Sequence, residues 1–465
     1  MSPDYENYLS PFSWRYGSSA MRKIWSETNK RQLWRLLWVT LAEAQAEFGL
    51  VNSEQLVDLR ANIDHVDVPR ALDIEAETQH DLMAELLVFA EQAPIGKPIL
   101  HLGATSTDIE DNADVLRIRQ SLNLILDQLR ELLLNLVEKI ETWADTPIIA
   151  FTHLQPAEPT TLGYRFGIYA QDLLQDLQNL HSLHQHLRGK GFKGAVGSSA
   201  AYAELIGVKN LPYFEQRLSD LLDLPFYEIT TQVYPRKQDL ETANTLAGLG
   251  CSLHKFAFDL RILQSPEIGE WSEPFSNKQV GSSAMPFKRN PIQAEKIDSL
   301  ARLLAQMPRL AWDNAAHSLL ERTLDDSANR RQMLPEMFLI ADELLQVSQK
   351  LVAGLRIDQV ALSRNLQRYG VFASVERILM ASVRAGADRQ EMHERLRLHC
   401  LDAWEAVRQG NPNPLEGIIA TDDKIMQYLP KNEMVNLMKI DTHLGNAPER
   451  CRRLASKIKE TISFG

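Results

Sequence analysis

The clearest pattern along the chain is a stripe of apolar residues between Asp111 and Trp143. Its members recur every three or four positions, so they lie on one face of a helix, and a stripe of this length predicts a long helix packed against others. The stripe consists of Val115, Ile118, Leu122, Ile125, Leu129, Leu132, Leu136, Ile140 and Trp143. A second stripe with the same spacing runs from Leu162 to Leu187. The residues Thr107-Asp108-Ile109-Glu110 predict a capping box in front of the first helix.

Three more long helices are predicted further along the chain. They span about residues 239–264, a segment that starts at Asn290-Pro291 and is kinked at Pro308, and about 329–354. Helices of about 25–30 residues far exceed the usual length of about 11–12 and are typical of a bundle core. We therefore predict an all-α fold with an N-terminal helical domain (1–105), a central long-helix bundle (106–357) and a C-terminal helical domain (358–465). The best candidate for a strand is 226–233.

Composition and charge exclude several classes of protein. The 465 residues include only 22 Gly and 21 Pro, which favours helix, and 50 basic against 61 acidic residues give a net charge of −11. This balance argues against nucleic acid or an anionic membrane surface as a partner. Cys251, Cys400 and Cys451 form no CxxC pair and predict reduced thiols in a cytoplasmic protein. Neither a signal peptide nor an 18-residue apolar run is present in the sequence.

The loop Gly281-Ser282-Ser283-Ala284-Met285-Pro286-Phe287-Lys288-Arg289-Asn290 has the composition of an anion-binding loop. Its small residues let backbone N–H groups approach an anion, and the predicted helix behind it adds positive potential. Ser282 is available for proton transfer, and Lys288 supplies a cation. An ordinary turn with a solvated basic pair fits the same composition equally well.

Three further loops carry polar residues of catalytic type. His153 lies between Pro147 and Pro159, which stiffen the chain around a residue suited to acid–base work, although a lone loop histidine is more often structural. The segments 78–81 and 101–108 place imidazoles beside carboxyl and hydroxyl groups, and each is equally consistent with surface or capping roles. The segment 321–331 combines three arginines with Ser327, which fits either a phosphate clamp or a salt-bridged turn.

Two apparent motifs lie in a sequence context that does not fit their usual function. The GxGxxG match at 189–194 follows a helix instead of a strand, so a dinucleotide site is rejected. His181, His184 and His186 lack carboxylate or cysteine partners at metal-binding spacing and predict a solvated helix face. The sequence contains no Walker, HExxH or EF-hand motif, and we expect neither a metal nor another cofactor.

The loop 281–290 resembles the GSSxMPxKxN signature of the fumarase/aspartase superfamily at every fixed position. Within it the chain is most similar to the adenylosuccinate lyase family, in its animal form, through Arg15-Tyr16, His80-Asp81, 101–106, 152–157 and 321–331. The resemblance implies a fumarase/aspartase-type fold and a homotetramer whose active sites are each built from three subunits. It also implies small-molecule substrates, adenylosuccinate and SAICAR. Their β-elimination gives fumarate with AMP or AICAR in purine nucleotide biosynthesis.

The same resemblance implies roles for individual residues. Ser282 would be the base, His153 the general acid oriented by Glu295, and Lys288 and Asn290 the ligands of the succinyl carboxylates. His80 is carried over both as a catalytic and as a substrate-binding residue. The substrate-binding set is Arg15, Tyr16, His80, Asp81, Thr105, Ser106, Gln232, Asn290, Lys296, Arg322, Ser327 and Arg331. Within that set, phosphate is assigned to Arg15, Arg322, Ser327 and Arg331.

Two positions depart from the family pattern: Gln79 stands where the family has Arg, and Lys296 where the animal enzymes have Arg. Lysine keeps the charge but loses the guanidinium fork. Argininosuccinate lyase, a cycloisomerase and a catalytically inactive helical scaffold are the alternatives. The arginine-rich segment around Ser327 favours a phosphorylated substrate over the first two, and the intact set of predicted catalytic residues argues against the third.

Overall fold

The computed structural model of the protein describes residues 6–276 and 278–464. It is 68% helical, with only two small sheets among the described residues, which confirms the all-α prediction. The helices of the first half are α1 (Ser19–Ile24), α2 (Glu27–Ala46), α3 (Ser53–Ala61), α4 (Val68–Thr78), α5 (Asp81–Gln92), α6 (Ser106–Thr142), α7 (Leu162–His186), α8 (Ala200–Ile206) and α9 (Leu211–Leu222). Those of the second half are α10 (Lys237–Leu263), α11 (Ile292–Leu304), α12 (Met307–Ala316), α13 (Ser327–Gly354), α14 (Gln359–Arg384), α15 (Arg389–Arg408), α16 (Leu415–Ala420), α17 (Asp423–Met426), α18 (Lys431–Leu437) and α19 (Ala447–Phe464).

The two sheets are both antiparallel pairs. Strand β1 (Pro147–Thr152) pairs with β2 (Gln155–Thr161), and β3 (Trp271–Ser272) pairs with β4 (Arg356–Ile357). The strand predicted over 226–233 is wrong: only Phe226 makes a bridge, to Gly189. Apolar and β-branched residues alone do not make a strand, because its backbone groups need a neighbouring strand to bond with.

The apolar stripe of α6 is buried as predicted. Eight of its nine predicted positions are at most 1% exposed, and the ninth, Trp143, lies just beyond the end of the 37-residue helix. The helix starts at Ser106, five residues before the first predicted residue, because its cap differs from the predicted one. The backbone N–H of Thr105 donates to the Asp108 carboxylate at 3.0 Å, and the Asp108 N–H donates to the Thr105 carbonyl at 3.0 Å, so the cap involves Thr105 and Asp108.

The predicted kink at Pro308 is instead a break between two helices. Helix α11 ends at Leu304, and α12 begins at Met307 with Pro308 in its first turn. Proline lacks the N–H that a continuous helix would need there, whereas the first turn of a helix has no such requirement. The beginning of α11 at Ile292 agrees with the predicted start just after Asn290-Pro291.

The chain forms two compact units. Unit 1 comprises Met1–Leu129, Asp176–Leu253 and Ser299–Gln346, and unit 2 comprises Arg130–Gln175, His254–Asp298 and Val347–Gly465. In unit 2, α14 packs against the β1–β2 hairpin, and a separate apolar core lies among α14, α15, α16 and α18. The division into three domains stays a prediction from the sequence. No helix within the described residues has both the length and the apolar character needed to cross a bilayer.

Candidate active site

The signature loop of unit 2 is closed on itself by its own residues. The Asn290 side-chain amide donates to the Gly281 carbonyl at 3.2 Å, which ties the two ends of the loop together. A Cβ at position 281 would lie 2.1 Å from the carbonyl oxygen of Lys288, so only glycine fits this close approach. The loop therefore presents Ser282 and Lys288 on a ring of chain whose geometry depends on Gly281 and Asn290.

The Ser282 hydroxyl lies against backbone amides of the same loop. Its oxygen accepts from the N–H of Met285 at 3.1 Å and from that of Ala284 at 3.4 Å. Two N–H donors directed at one oxygen favour the negatively charged form of that oxygen. An unassisted hydroxyl is a poor base, so these donors fit the role predicted for Ser282, which stays a prediction.

The start of α11 lies directly behind the loop and carries Glu295 and Lys296. Its cap is Glu273, whose carboxylate accepts from the backbone N–H groups of Ala294 at 2.6 Å and Gln293 at 3.2 Å. Burial is the main influence on Glu273 and raises the pKa of its carboxyl, while the two backbone donors work in the opposite direction. No local pattern in the sequence indicated this cap, because Glu273 is about 20 residues before the helix that it caps.

His153 occupies the tip of the β1–β2 hairpin. His153 and Leu154 have φ values of 54° and 58°, and the flanking residues Thr152 and Gln155 pair directly. Two consecutive residues with positive φ form the tight turn that matches the twist of a hairpin. The structure therefore holds His153 in a tight turn, and this turn belongs to a hairpin that the sequence analysis missed.

The backbone of this turn is strained at Leu154, and a variant can measure the strain. Leucine in the left-handed region is strained by roughly 1–2 kcal/mol, and glycine adopts it freely. We expect Leu154→Gly to keep or raise the melting temperature, measured by calorimetry, although Leu154 is replaced by the residue most flexible in the unfolded state. A Thr152→Gly control in the adjacent strand should lower it, and the opposite order would contradict a strained turn.

In unit 1 the structure brings together residues from three separate loops. His80 is the N-cap residue of α5, and its Nε2 lies 3.3 Å from the Ser106 hydroxyl at the start of α6. Gln79 ends α4 with a positive φ of 55°, directly before this histidine. Arg331 of α13 donates to the Asp81 carboxylate at 2.8 Å. These contacts join residues that the resemblance assigned to one substrate-binding set.

A cavity of about 140 Å³ lies beside this group in unit 1. Four of the predicted substrate-binding residues line it: Asp81, Arg322, Ser327 and Arg331. Arg322 also donates to Asp326 at 2.9 Å, which orients its guanidinium toward the turn before α13. Ser327 is the first residue of α13, where the helix N-terminus adds positive potential.

The other predicted residues of unit 1 occupy defined positions outside that cavity lining. Arg15 and Tyr16 follow the short 3₁₀ turn Pro11–Ser13, with the Arg15 guanidinium 6.0 Å from the Tyr16 ring. Gln232 is held by its backbone: its N–H donates to the Glu321 carbonyl at 3.1 Å, and its carbonyl accepts from the Thr107 hydroxyl. These two bonds connect the segment before α10 to the start of α6 and to the arginine-rich loop.

The sequence analysis missed the buried carboxylate that supports this region. Asp108, fully buried, pairs with the equally buried Lys190 and accepts from the Tyr202 hydroxyl at 3.3 Å. It also accepts from the backbone N–H groups of Lys193 at 3.1 Å and Gly194 at 3.2 Å. The loop 189–194, whose sequence matches a dinucleotide motif, therefore anchors the start of α6. Lys190 in this loop had no role in the sequence analysis, and it was the signal that could have indicated a buried ion pair.

A second buried network contributes Asp111, Arg236 and Arg330 to the lining of the cavity. Arg330 donates to Asp239 and to the Tyr234 hydroxyl, both at 2.8 Å. Arg236 joins Asp111 at 3.0 Å and Asp326 at 2.8 Å. Burial lowers the pKa of Arg236, and the surrounding carboxylates more than offset this and raise it overall. No group of three or more metal-ligating side chains occurs among the residues that the structure describes.

The comparisons with known proteins show the family of the chain. Residues 17–304 match a family described as "Lyase", and residues 370–454 match one described as "Adenylosuccinate lyase C-terminus". An adenylosuccinate lyase of Schistosoma mansoni is 40% identical over 428 residues, covering 90% of this chain and 88% of the relative. That of Saccharomyces cerevisiae is 35% identical, with 98% and 95% coverage. The chain belongs to the adenylosuccinate lyase family.

Solved structures extend the agreement to the fold. A 3-carboxy-cis,cis-muconate lactonizing enzyme from Pseudomonas putida matches 97% of this chain and 99% of its own, with 26% identity and a TM-score of 0.84. A fumarate lyase from Mesorhizobium sp. BNC1 has the same TM-score and coverage at 24% identity. The predicted adenylosuccinate lyase family and fumarase/aspartase-type fold are both confirmed. The roles given to single residues stay predictions.

Proposed function

We propose that this member of the adenylosuccinate lyase family cleaves adenylosuccinate to AMP and fumarate, and SAICAR to AICAR and fumarate. The observation that carries the proposal is the Ser282 hydroxyl, which accepts two backbone N–H groups in a loop that also holds Lys288. A β-elimination must remove a proton from carbon next to a carboxylate, and a base held among amides and a cation suits that step.

In the proposed reaction, Ser282 takes the carbon-bound proton while Lys288 and Asn290 bind the succinyl carboxylates. The electron pair of the broken C–H bond forms the double bond of fumarate, and the C–N bond breaks. His153 donates a proton to the leaving nitrogen, with Glu295 orienting its ring. General acid–base groups of this kind contribute about 10²–10⁴-fold each to the rate.

The substrate's phosphate is assigned to the cavity of unit 1. Arg322 and Arg331 supply guanidinium groups and Ser327 a hydroxyl at a helix N-terminus, a combination suited to a phosphate. Arg15 is assigned to the same group. His80 and Ser106, which are in contact, would bind substrate beside it, together with Asp81 and Thr105.

We further propose a homotetramer in which three subunits build each active site. Exposed apolar side chains support burial against other copies: Phe287 is 82% exposed at the signature loop and Ile229 83% exposed before α10. Free thiols at Cys251, Cys400 and Cys451 favour a cytoplasmic location.

The proposal is tested by following fumarate release from adenylosuccinate and from SAICAR, with argininosuccinate as the control substrate. We expect turnover of both purine substrates and none of argininosuccinate. A folded tetramer that releases fumarate from neither purine substrate would contradict the proposed reaction, and a monomer in sedimentation analysis would contradict the shared site.

His153→Asn tests the proposed acid without disturbing the turn. Asparagine, like histidine, tolerates positive φ, so the hairpin should persist while the proton donor is lost. We expect kcat to fall by at least about 10²-fold with an unchanged melting temperature. Gln155→Asn, which alters a side chain next to the turn, is the matched control, and a wild-type kcat in His153→Asn would exclude the role.

A further inference from the structure

One carboxyl group in the cavity of unit 1 has no role so far. Glu110 lies on the second turn of α6 and lines the cavity with Arg322, Ser327 and Arg331. Within the described part of the chain its carboxyl makes no hydrogen bond and no ion pair. A carboxyl on the wall of an anion site would repel an anion if it were charged, so its protonation state determines what the cavity can bind.

The nearby cations are already paired with other carboxylates. Arg331 donates to Asp81 at 2.8 Å, and Arg322 donates to Asp326 at 2.9 Å. Arg117 pairs with Asp114, and Arg330 with Asp239. Glu110 is therefore a carboxyl of the cavity that forms an ion pair with none of these arginines.

The charged groups that line the cavity together with Glu110 are mixed in sign. They are Glu27 and Lys30 of α2, Asp81 of α5, Asp111, Asp114 and Arg117 of α6, Arg236 before α10, Arg322 before α13, and Arg330 and Arg331 of α13. Burial and the carboxylates of Asp81, Asp111 and Asp114 raise the pKa of Glu110 to about 7, although Arg331 opposes the change. Near neutral pH, a large fraction of this carboxyl is thus the neutral acid, which is a hydrogen-bond donor.

The cavity also contains an unused donor. The indole N–H of Trp34, a residue only 2% exposed, finds no acceptor among the described residues and lines the same cavity. A buried donor without a partner is costly, and a ligand oxygen in the cavity would supply the missing acceptor. This observation is independent of Glu110 and fits a ligand that carries an acceptor oxygen.

We infer that Glu110 binds the phosphate of the substrate as a neutral acid, donating its proton to a phosphate oxygen beside Arg322, Ser327 and Arg331. The inference rests on the proposed function, which puts the substrate phosphate in this cavity. It makes Glu110 a binding residue whose protonation is coupled to substrate affinity: the enzyme binds best below neutral pH, and the affinity falls as Glu110 loses its proton.

The test compares KM for adenylosuccinate between pH 6 and pH 8. For the wild type we expect KM to rise about tenfold over this range, as one-proton linkage requires. Glu110→Gln keeps a donor that does not titrate, so its KM should stay near the wild-type value at pH 6 and change less than the wild type. Glu110→Ala removes the donor, so its KM should be raised already at pH 6.

Glu336→Gln is the matched control. Glu336 of α13 is likewise a partly buried carboxyl whose pKa is raised by burial, but it does not line the cavity. We expect its KM profile to follow the wild type, since titration of the substrate's phosphate and of the histidines is common to all variants. Parallel profiles in the wild type and Glu110→Gln would overturn the inference.

Calorimetry with AMP separates this inference from the proposed reaction. Binding measured at pH 7.5 in buffers of different ionisation enthalpy reports the protons taken up. The wild type should take up more protons per AMP than Glu110→Gln, and equal uptake would also overturn the inference. Absence of fumarate release at every pH would instead contradict the proposed function, while the AMP measurement would still decide the role of Glu110.

Discussion

Ser282→Ala is expected to lower kcat by at least about 10²-fold, the scale of a lost general base. The substitution removes the oxygen that accepts the N–H groups of Ala284 and Met285. It leaves the tie between Asn290 and Gly281 in place, so the loop keeps its closure. The loss should therefore appear in the chemical step, with little change in KM or in melting temperature.

The measurement is the pre-steady-state and steady-state rate of fumarate formation, with Ser283→Ala as the matched control. Ser283 has the same side chain in the same loop and no contact in the described structure that would make it the base. We expect its kcat to stay within a few-fold of the wild type. A large loss of kcat in Ser283→Ala together with a wild-type kcat in Ser282→Ala would show that Ser282 is not the base.

The second large effect is expected on stability. Asp108→Ala should reduce the free energy of unfolding by about 3–5 kcal/mol, the usual result of removing one partner from a buried ion pair. The substitution leaves the Lys190 ammonium uncompensated in a fully buried position. It also removes the acceptor of Tyr202 and of the backbone N–H groups of Thr105 and Gly194.

Denaturant unfolding with two independent probes measures this loss, and Asp145→Ala is the control. Asp145 also pairs with an arginine, Arg452, but its side chain is 73% exposed, and such pairs contribute little. The control should leave the unfolding midpoint unchanged. Equally small losses of unfolding free energy in both variants would show that the contacts of Asp108 do not stabilise the start of α6.

The long helices could be predicted because their signal is local and repeated. In α6 an apolar residue recurs at every helical turn, so no knowledge of the packing partner was needed. The β1–β2 hairpin gave no comparable signal. The segment 155–161 contains two prolines and hardly alternates, and its turn places leucine at positive φ, where local propensity predicts no turn at all.

The candidate site likewise has parts that the sequence predicted and parts that it did not. The signature loop and the segments around His80, His153 and Ser327 were found because their residues are adjacent in sequence. The pairing of Asp108 with Lys190, the Glu273 cap and the position of Glu110 in a cavity depend on distant segments meeting in the fold. No spacing rule in a single sequence relates residues 108 and 190, so only the packed structure could place them together.

The composition of the β1–β2 hairpin affects how the protein behaves at high concentration. A two-stranded sheet exposes backbone groups along its edges, and such edges can recruit strands from other chains. Pro156 and Pro159 of β2 pair with Phe151 and Ile149 of β1 across an irregularity in the register, and neither proline has a backbone N–H to offer to another strand. Prolines and an irregular register are both features that make a strand edge a poor partner for another strand. The hairpin that carries His153 is thus a poor template for aggregation.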